Sequence, residues 1–230
     1  MKLSVVIPIY NEQDTLDEII EQVRAVPLEK HLVLVDDFST DDTRDKLKRY
    51  EGDDDCTVLY HEKNQGKGAA LRTGFSAAQG DLVIIQDADL EYSPSDIPTV
   101  VAPLINRECD VVYGSRFLGG EHRDKSWVHR LGNGVLTKAS NITTGLHLTD
   151  METCYKMLKG ELARNLADDL VSKRFGFEPE ITARIAKSKA RVYEIGISYY
   201  GRSKEEGKKI GYRDGIRAIW EIIRFNVFSR

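Results

Sequence analysis

Three short runs, Val5–Ile7, Leu32–Val35 and Leu82–Ile85, are apolar at consecutive positions rather than at alternate ones. A strand with one wet face alternates; a strand covered on both faces does not. Further strands are expected at Thr57–His61, Asp110–Gly114 and Arg191–Ile197, beside those at Leu3–Ile9, Leu32–Asp36 and Leu82–Gln86. Helical patterns lie between them. Leu16, Ile19, Ile20 and Val23 form a stripe behind Asn11, which reads as an N-cap. Thr40 or Asp41 is placed to cap a helix reaching Tyr50. Gly68–Gln79 reads as a helix stopped by Gly80. Ser93-Pro94-Ser95-Asp96 opens another that runs to about Asn106. This alternation predicts an α/β fold, a mostly parallel doubly wound sheet with helices on both faces. Ligands in such sheets bind beyond the carboxyl ends of the strands.

The second half changes texture. A polar helical stretch is expected from about Ser126 to Thr144, then helices at Gly160–Leu170 and Pro179–Ser188. With 230 residues the chain reads as one domain: a nucleotide-side half over 1–116, an acceptor-side half over 117–213 and an amphipathic helix over 214–230. In that last helix Ile216, Ile219, Trp220, Ile223 and Val227 make one stripe, with Arg217, Glu221 and Arg224 opposite. The stripe suits either a bilayer interface or packing on the domain. No segment approaches the ~20 apolar residues that cross a bilayer, and the first apolar run is too short for a signal peptide. The net charge of −4 argues against a nucleic-acid partner. Cys56, Cys109 and Cys154 show no metal-finger spacing and read as reduced thiols. A cytoplasmic protein, compatible with peripheral attachment to the membrane face, is the expectation.

Chemistry concentrates at the strand ends. Gln86-Asp87-Ala88-Asp89-Leu90-Glu91 places three carboxylates at i, i+2 and i+4, which point one way in extended backbone. Either a solvated acidic turn or a hard divalent ion, Mg²⁺ or Mn²⁺, accounts for them. The first strand ends in Ile7-Pro8-Ile9-Tyr10-Asn11-Glu12, where an aromatic and an acid could meet a base and its ribose. The second ends in Asp36-Asp37, suited to base N–H groups or to capping. Asn64-Gln65-Gly66-Lys67-Gly68 opens a helix with glycines and a lysine, a phosphate contact or a tight turn; it lacks P-loop spacing. Gly201–Gly211 is basic and glycine-rich, a flexible lid or a solvated loop.

In order and spacing these pieces resemble the family 2 glycosyltransferases of GT-A fold. The match extends toward the dolichyl- or polyprenyl-phosphate hexose synthases through Tyr113-Gly114-Ser115-Arg116-Phe117, Arg130, Thr149-Asp150-Met151-Glu152-Thr153-Cys154-Tyr155-Lys156, Phe175-Gly176-Phe177-Glu178-Pro179-Glu180 and Tyr200-Gly201-Arg202. The resemblance implies that Pro8, Tyr10, Glu12 and Asp37 hold the nucleoside. It implies that Asp87, Asp89 and Glu91, around Ala88, serve Mg²⁺ or Mn²⁺ and the donor diphosphate. Glu91 falls where mannose-transferring relatives commonly carry Gln. Arg116 and Arg130 would face an acceptor phosphate, and Arg202 and Lys208 would close over the donor. Lys67, Lys173 and Arg174 are further phosphate candidates; His122 and His129 lie in the same basic region. Asp150 is a base if the acceptor is a hydroxyl, or an orienting group for an arginine if it is a phosphate. The implied partners are a nucleotide sugar, GDP-mannose or UDP-glucose, and a lipid phosphate. The rivals are transfer to a saccharide or small-molecule hydroxyl and a catalytically silent nucleotide-binding scaffold.

Overall fold

The computed structural model describes residues 1–119, 127–174, 176–201 and 212–228. In chain order these form β1 Leu3–Ile9, α1 Leu16–Ala25, β2 Lys30–Asp36, α2 Thr43–Leu47, β3 Cys56–Tyr60, α3 Lys67–Ala77, β4 Leu82–Ile85 and α4 Ile97–Ile105. There follow β5 Val111–Ser115, α5 Trp127–Thr144, β6 Lys156–Lys159, α6 Gly160–Asp169, α7 Phe177–Lys187, β7 Val192–Gly196 and α8 Tyr212–Ile223. The strands make one seven-stranded sheet in the order β3-β2-β1-β4-β6-β5-β7.

The consecutive apolar runs arise because both faces of the sheet are covered. Val5 and Ile7 of β1, with Leu82 and Ile84 of β4, join the cluster that contains Leu16, Ile19, Ile20 and Val23 of α1 and Val100 and Leu104 of α4. Val6 of β1, with Val83 and Ile85 of β4, points the other way, toward Leu71 and Phe75 of α3 and Leu166 of α6. Successive side chains of one strand thus feed two cores.

Two local expectations are corrected. Asn11 does not cap α1, which begins at Leu16 after Thr15. Asn11 has φ 56, and its Oδ1 instead accepts the Thr40 N–H at 2.8 Å. The list of expected strands also gains a member: the sheet is mostly parallel, as expected, and the exception is the unexpected strand β6. β6 pairs antiparallel with β4 on one side and β5 on the other. Its four residues, Lys-Met-Leu-Lys, are too few to carry a periodic signal.

The carboxyl-terminal helix buries a different face from the stripe. Ala218, Ile222 and Phe225 are buried, with Glu221 beside them, while Ile219, Trp220, Ile223 and Val227 are exposed. Glu221 is held by Arg224 at 3.1 Å. After Ile223 the chain widens into a π-helical turn, Arg224–Phe228.

Ile222 sits in the same core as Leu71 and Phe177. Ile222→Ala is therefore expected to cost about 2–4 kcal/mol, and Trp220→Ala less than about 0.5 kcal/mol. Equal losses in equilibrium denaturation would contradict this placement of the helix.

Candidate active site

Adjacent strands β2, β1 and β4 end side by side, so Asp36–Asp37, Tyr10–Glu12 and Gln86–Glu91 meet on one rim. Each end is followed by a non-glycine residue in the left-handed region, Phe38 at φ 66, Asn11 at φ 56 and Leu90 at φ 62. Such backbone is unfavourable for L side chains, and it concentrates where a chain is held for function. Tyr10 is exposed and Pro8 half-buried. The Glu12 carboxylate accepts the Thr15 hydroxyl at 2.9 Å.

The two second-strand acids are committed to the protein. Asp36 accepts the Ser39 N–H at 3.1 Å and Arg44 Nε at 2.8 Å. Asp37 is buried; it accepts the Gln65 and Gly66 N–H groups at 2.8 and 2.6 Å and lies 2.7 Å from His61 Nδ1. It thereby ties β2 to the glycine turn that opens α3. Other amides of that turn are also committed to the protein rather than offered to a phosphate. The Gly68 N–H donates to the Lys173 carbonyl at 3.0 Å. A Cβ on Gly66 would come within 2.2 Å of the Lys173 oxygen, and one on Gly68 within 2.3 Å of the Ser172 oxygen. The glycines serve close backbone approach. Segment 171–172 is held in turn by buried Glu180, which accepts the Val171 and Ser172 N–H groups at 3.0 and 2.6 Å.

Lys67 turns to the acidic rim, with Nζ 2.7 Å from Asp87 Oδ2 and 2.8 Å from Cys154 Sγ. Desolvation opposes the ammonium charge, but Asp87 beside it holds the Lys67 pKa well above its usual value. Asp89 Oδ1 accepts the Glu91 N–H at 3.1 Å, and Glu91 Oε2 accepts the Tyr199 hydroxyl at 2.7 Å. The strand ends at Ile85 and Leu90 is left-handed, so the carboxylates do not project as in extended backbone. Among the described residues no three His, Cys, Asp or Glu side chains converge as a metal cluster. Two carboxylates are nonetheless a suitable protein share for Mg²⁺, which commonly takes one or two and completes its shell with substrate phosphate and water. Burial, with Asp87 and Glu91 nearby, pushes the Asp89 pKa up to about 7. Lys67 answers part of that charge at Asp87, and hard oxygen donors gathered this closely also fit a divalent ion.

On the other side of the rim, Arg116 makes a two-pronged contact with Asp150, Nε to Oδ2 at 2.7 Å and a terminal nitrogen to Oδ1 at 2.8 Å. Asp150 is fully buried. It also accepts Asn133 Nδ2 at 3.1 Å, and its N–H donates to Glu194 of β7 at 3.0 Å. Arg116 and Arg130 both lie over the Phe117 ring, at 5.6 and 5.5 Å from its centroid. Arg130 is exposed, as are Lys173 and Arg174. Arg202, Lys208 and the rest of the expected basic lid from 202 to 211 lie outside the described residues, as do His122, Phe175 and the side chain of His129.

Several site residues were quoted in the sequence only as parts of motifs, with no role of their own, and Tyr92 was not singled out at all. Lys156 is fully buried and ion-paired with Glu178. Tyr92 stacks on Tyr155 and tilts against Tyr199, flooring the rim. Tetrads such as Thr153-Cys154-Tyr155-Lys156 carry no periodic signal, and only the lysine before an apolar pair hinted at a buried charge. The Oε1 atoms of Gln86 and Glu152 and Oδ1 of Asn133 are buried with no hydrogen-bond partner among the described residues. An unsatisfied buried acceptor costs about 1–3 kcal/mol, so such atoms mark where a ligand's donors would be welcome.

A sheet of this order with an acidic rim is the architecture of the GT-A glycosyltransferases. Residues 4–166 match the family model described as Glycosyl transferase family 2, and the chain belongs to that family. It is 28% identical over 237 residues to the dodecaprenyl-phosphate galacturonate synthase of Rhizobium johnstonii, covering 100% of this chain and 68% of that one. It is 29% identical over 240 residues to the undecaprenyl-phosphate mannosyltransferase of Micrococcus luteus, covering 97% and 98%. Among solved structures, glucosyl-3-phosphoglycerate synthase from Mycobacterium tuberculosis, in complex with Mn²⁺, UDP and phosphoglyceric acid, superposes with a TM-score of 0.69. That likeness covers 98% of this chain and 78% of the other at 20% identity, and it establishes the fold. The chain is a glycosyltransferase.

Proposed function

We propose that this glycosyltransferase moves a hexose, with inversion, from a nucleotide sugar such as GDP-mannose or UDP-glucose to the phosphate of a polyprenyl or dolichyl lipid. The observation that carries this reading is the arginine pair. Arg116, locked by buried Asp150, and exposed Arg130 flank one aromatic ring across the rim from Asp87 and Asp89. The polyprenyl-phosphate substrates named for two relatives support the same acceptor class.

On this reading Pro8, Tyr10 and Glu12 flank the nucleoside, and Asp37 anchors the turn beneath it. Asp87 and Asp89 hold Mg²⁺ or Mn²⁺, with Glu91 as the outer carboxylate of the set; the bound ion supplies positive charge to the diphosphate. Lys67 adds a fixed cation at the same point, and Arg202 and Lys208 are assigned to the donor from the lid. A phosphate oxygen bonds to C1 as the C1–O bond to the diphosphate breaks, and fixed positive charge stabilises the leaving group as its charge grows. A lipid phosphate is anionic near neutral pH and needs no base. A hydroxyl acceptor would need one, and Asp150 is poorly suited, since both its oxygens are engaged and it is buried.

Leu131, Gly134 and Val135, with Arg130 and Lys138 beside them, make an open and largely apolar face of α5, which supports a lipid-borne acceptor. Helices α5 and α8 pack together. They and the π-helical turn after α8 leave apolar side chains in solvent, Ile142 at 76% exposure, Trp220 at 57% and Phe228 at 70%. Exposed Arg130, Lys138 and Arg217 accompany them. Exposed Trp, Phe and basic residues on these packed elements suit an anionic bilayer interface. No described helix is long and apolar enough to cross a membrane; the exposed aromatic and basic side chains support peripheral attachment, which we assign to the cytoplasmic face.

The reading is tested by screening nucleotide sugars with Mn²⁺, with and without a short prenyl phosphate. Asp89→Ala is expected to abolish transfer and the Mn²⁺-dependent part of nucleotide binding; sustained turnover would reject the metal assignment. Arg130→Ala should raise the acceptor KM at least ~10-fold, the worth of a charged hydrogen bond, with donor KM little changed; the reverse pattern would favour a hydroxyl acceptor. Trp220→Ala should weaken co-sedimentation with anionic vesicles several-fold, and undiminished binding would remove α8 from the interface.

A further inference from the structure

Between the diphosphate side of the rim and the acceptor arginines lies the loop 150–155. Because β6 starts at Lys156 and pairs with both β4 and β5, the residues ahead of it cross the rim between Asp87 and Arg116. The two ends of the loop are tied to those two sides. Asp150 grips Arg116, and Cys154 Sγ lies 2.8 Å from the Lys67 nitrogen that also holds Asp87. Glu152 is at the middle of the span. The nearby cations are committed elsewhere: Lys156 to Glu178 and to the Met151 and Thr153 carbonyls, Arg116 to Asp150. Among the described residues Glu152 Oε1 has no hydrogen-bond partner and is buried, yet the residue keeps part of its surface open. Burial and the Glu178 carboxylate push its pKa up to about 7, and a carboxyl group keeps an acceptor oxygen whether or not it holds a proton.

On the hexose-transfer reading above, on which this assignment rests, the reacting sugar occupies the gap that the loop crosses. It bonds on one side to a diphosphate at Asp87 and Asp89 and approaches on the other a phosphate at Arg116. A hexose brings several hydroxyl donors into that gap. We infer that Glu152 recognises the donor sugar, its carboxyl accepting a hydrogen bond from a ring hydroxyl. Discrimination follows from the same geometry. A site that offers an acceptor to a hydroxyl rejects a sugar lacking it, because the acceptor is then left buried and unpaired.

Calorimetry on the full chain with Mn²⁺ tests this, using UDP-glucose, GDP-mannose, bare UDP and bare GDP against wild type, Glu152→Gln and Glu152→Ala. Glu152→Ala is expected to weaken the preferred sugar nucleotide by about 10- to 100-fold, the worth of a hydrogen bond to a carboxylate. The bare nucleotide should stay within about twofold. Glu152→Gln keeps an acceptor oxygen and nearly the same shape, so it should retain most of the affinity and guards against a folding defect in the alanine variant. With monodeoxy donors, the wild type should lose affinity for one sugar that the alanine variant binds no worse than the parent sugar. Equal affinity of wild type and Glu152→Ala for the sugar nucleotide overturns the assignment and leaves the transfer reading standing. Equal losses for sugar nucleotide and bare nucleotide show a structural role and overturn it as well. Failure of the wild type to bind any nucleotide or sugar nucleotide overturns both.

Discussion

The site depends on one reversed strand. β6 runs against β4 and β5, between which it is hydrogen-bonded, so its first residue, not its last, stands on the rim where β1, β2 and β4 end. That reversal delivers Asp150, Glu152, Cys154 and Lys156 to the same rim as Asp87 and Arg116. A parallel strand there would have sent the loop to the opposite end of the sheet. Lys156, fully buried, makes the entry rigid. Its ammonium is held by Glu178 of α7 and by two carbonyls of its own loop, and a buried charge survives only with such partners.

Electrostatics then divide the rim. One side gathers Asp87, Asp89 and Glu91 with Lys67 as a fixed cation, and the crowding is severe enough to lift the Asp89 pKa. The other side gathers arginine, with Asp150 setting the Arg116 direction from below. A bound diphosphate and its ion suit the first side, and a second phosphate suits the other. Separation of the two by a loop with an unpartnered carboxyl oxygen leaves a gap with hydrogen-bonding capacity but little room for further charge.

The support for this rim comes from elements far from the chemistry. Glu180 on α7 fixes segment 171–172, and the Lys173 carbonyl next to it meets the α3 amide at Gly68. Asp37 pins the same turn from the other side, through the Gln65 and Gly66 amides. The two glycines of that turn are explained by this close approach rather than by an anion. Their sequence pattern is the same in either case, since a small residue is needed wherever backbone must come near, whatever comes near it.

Much of the fold was legible in the amino-acid sequence alone. Runs of consecutive apolar residues at β1, β2 and β4 require cover on both faces, and that alone implies helices on both sides and a ligand rim at the carboxyl ends. The acids at those ends were legible too, because a polar residue that closes a buried strand has only the rim to go to; Arg116 and Arg130 were legible only through the family resemblance. Tertiary structure decided the rest. Four residues of β6 hold no period from which direction could be read. The carboxyl-terminal stripe had two possible partners, and packing buried Ala218, Ile222 and Phe225 instead of Trp220. Asp37, Glu152 and Asp150 are alike in sequence as acids near loops. Only the contacts each one makes or lacks distinguish an anchor from an orienting group and from an open acceptor, because those contacts join residues distant along the chain.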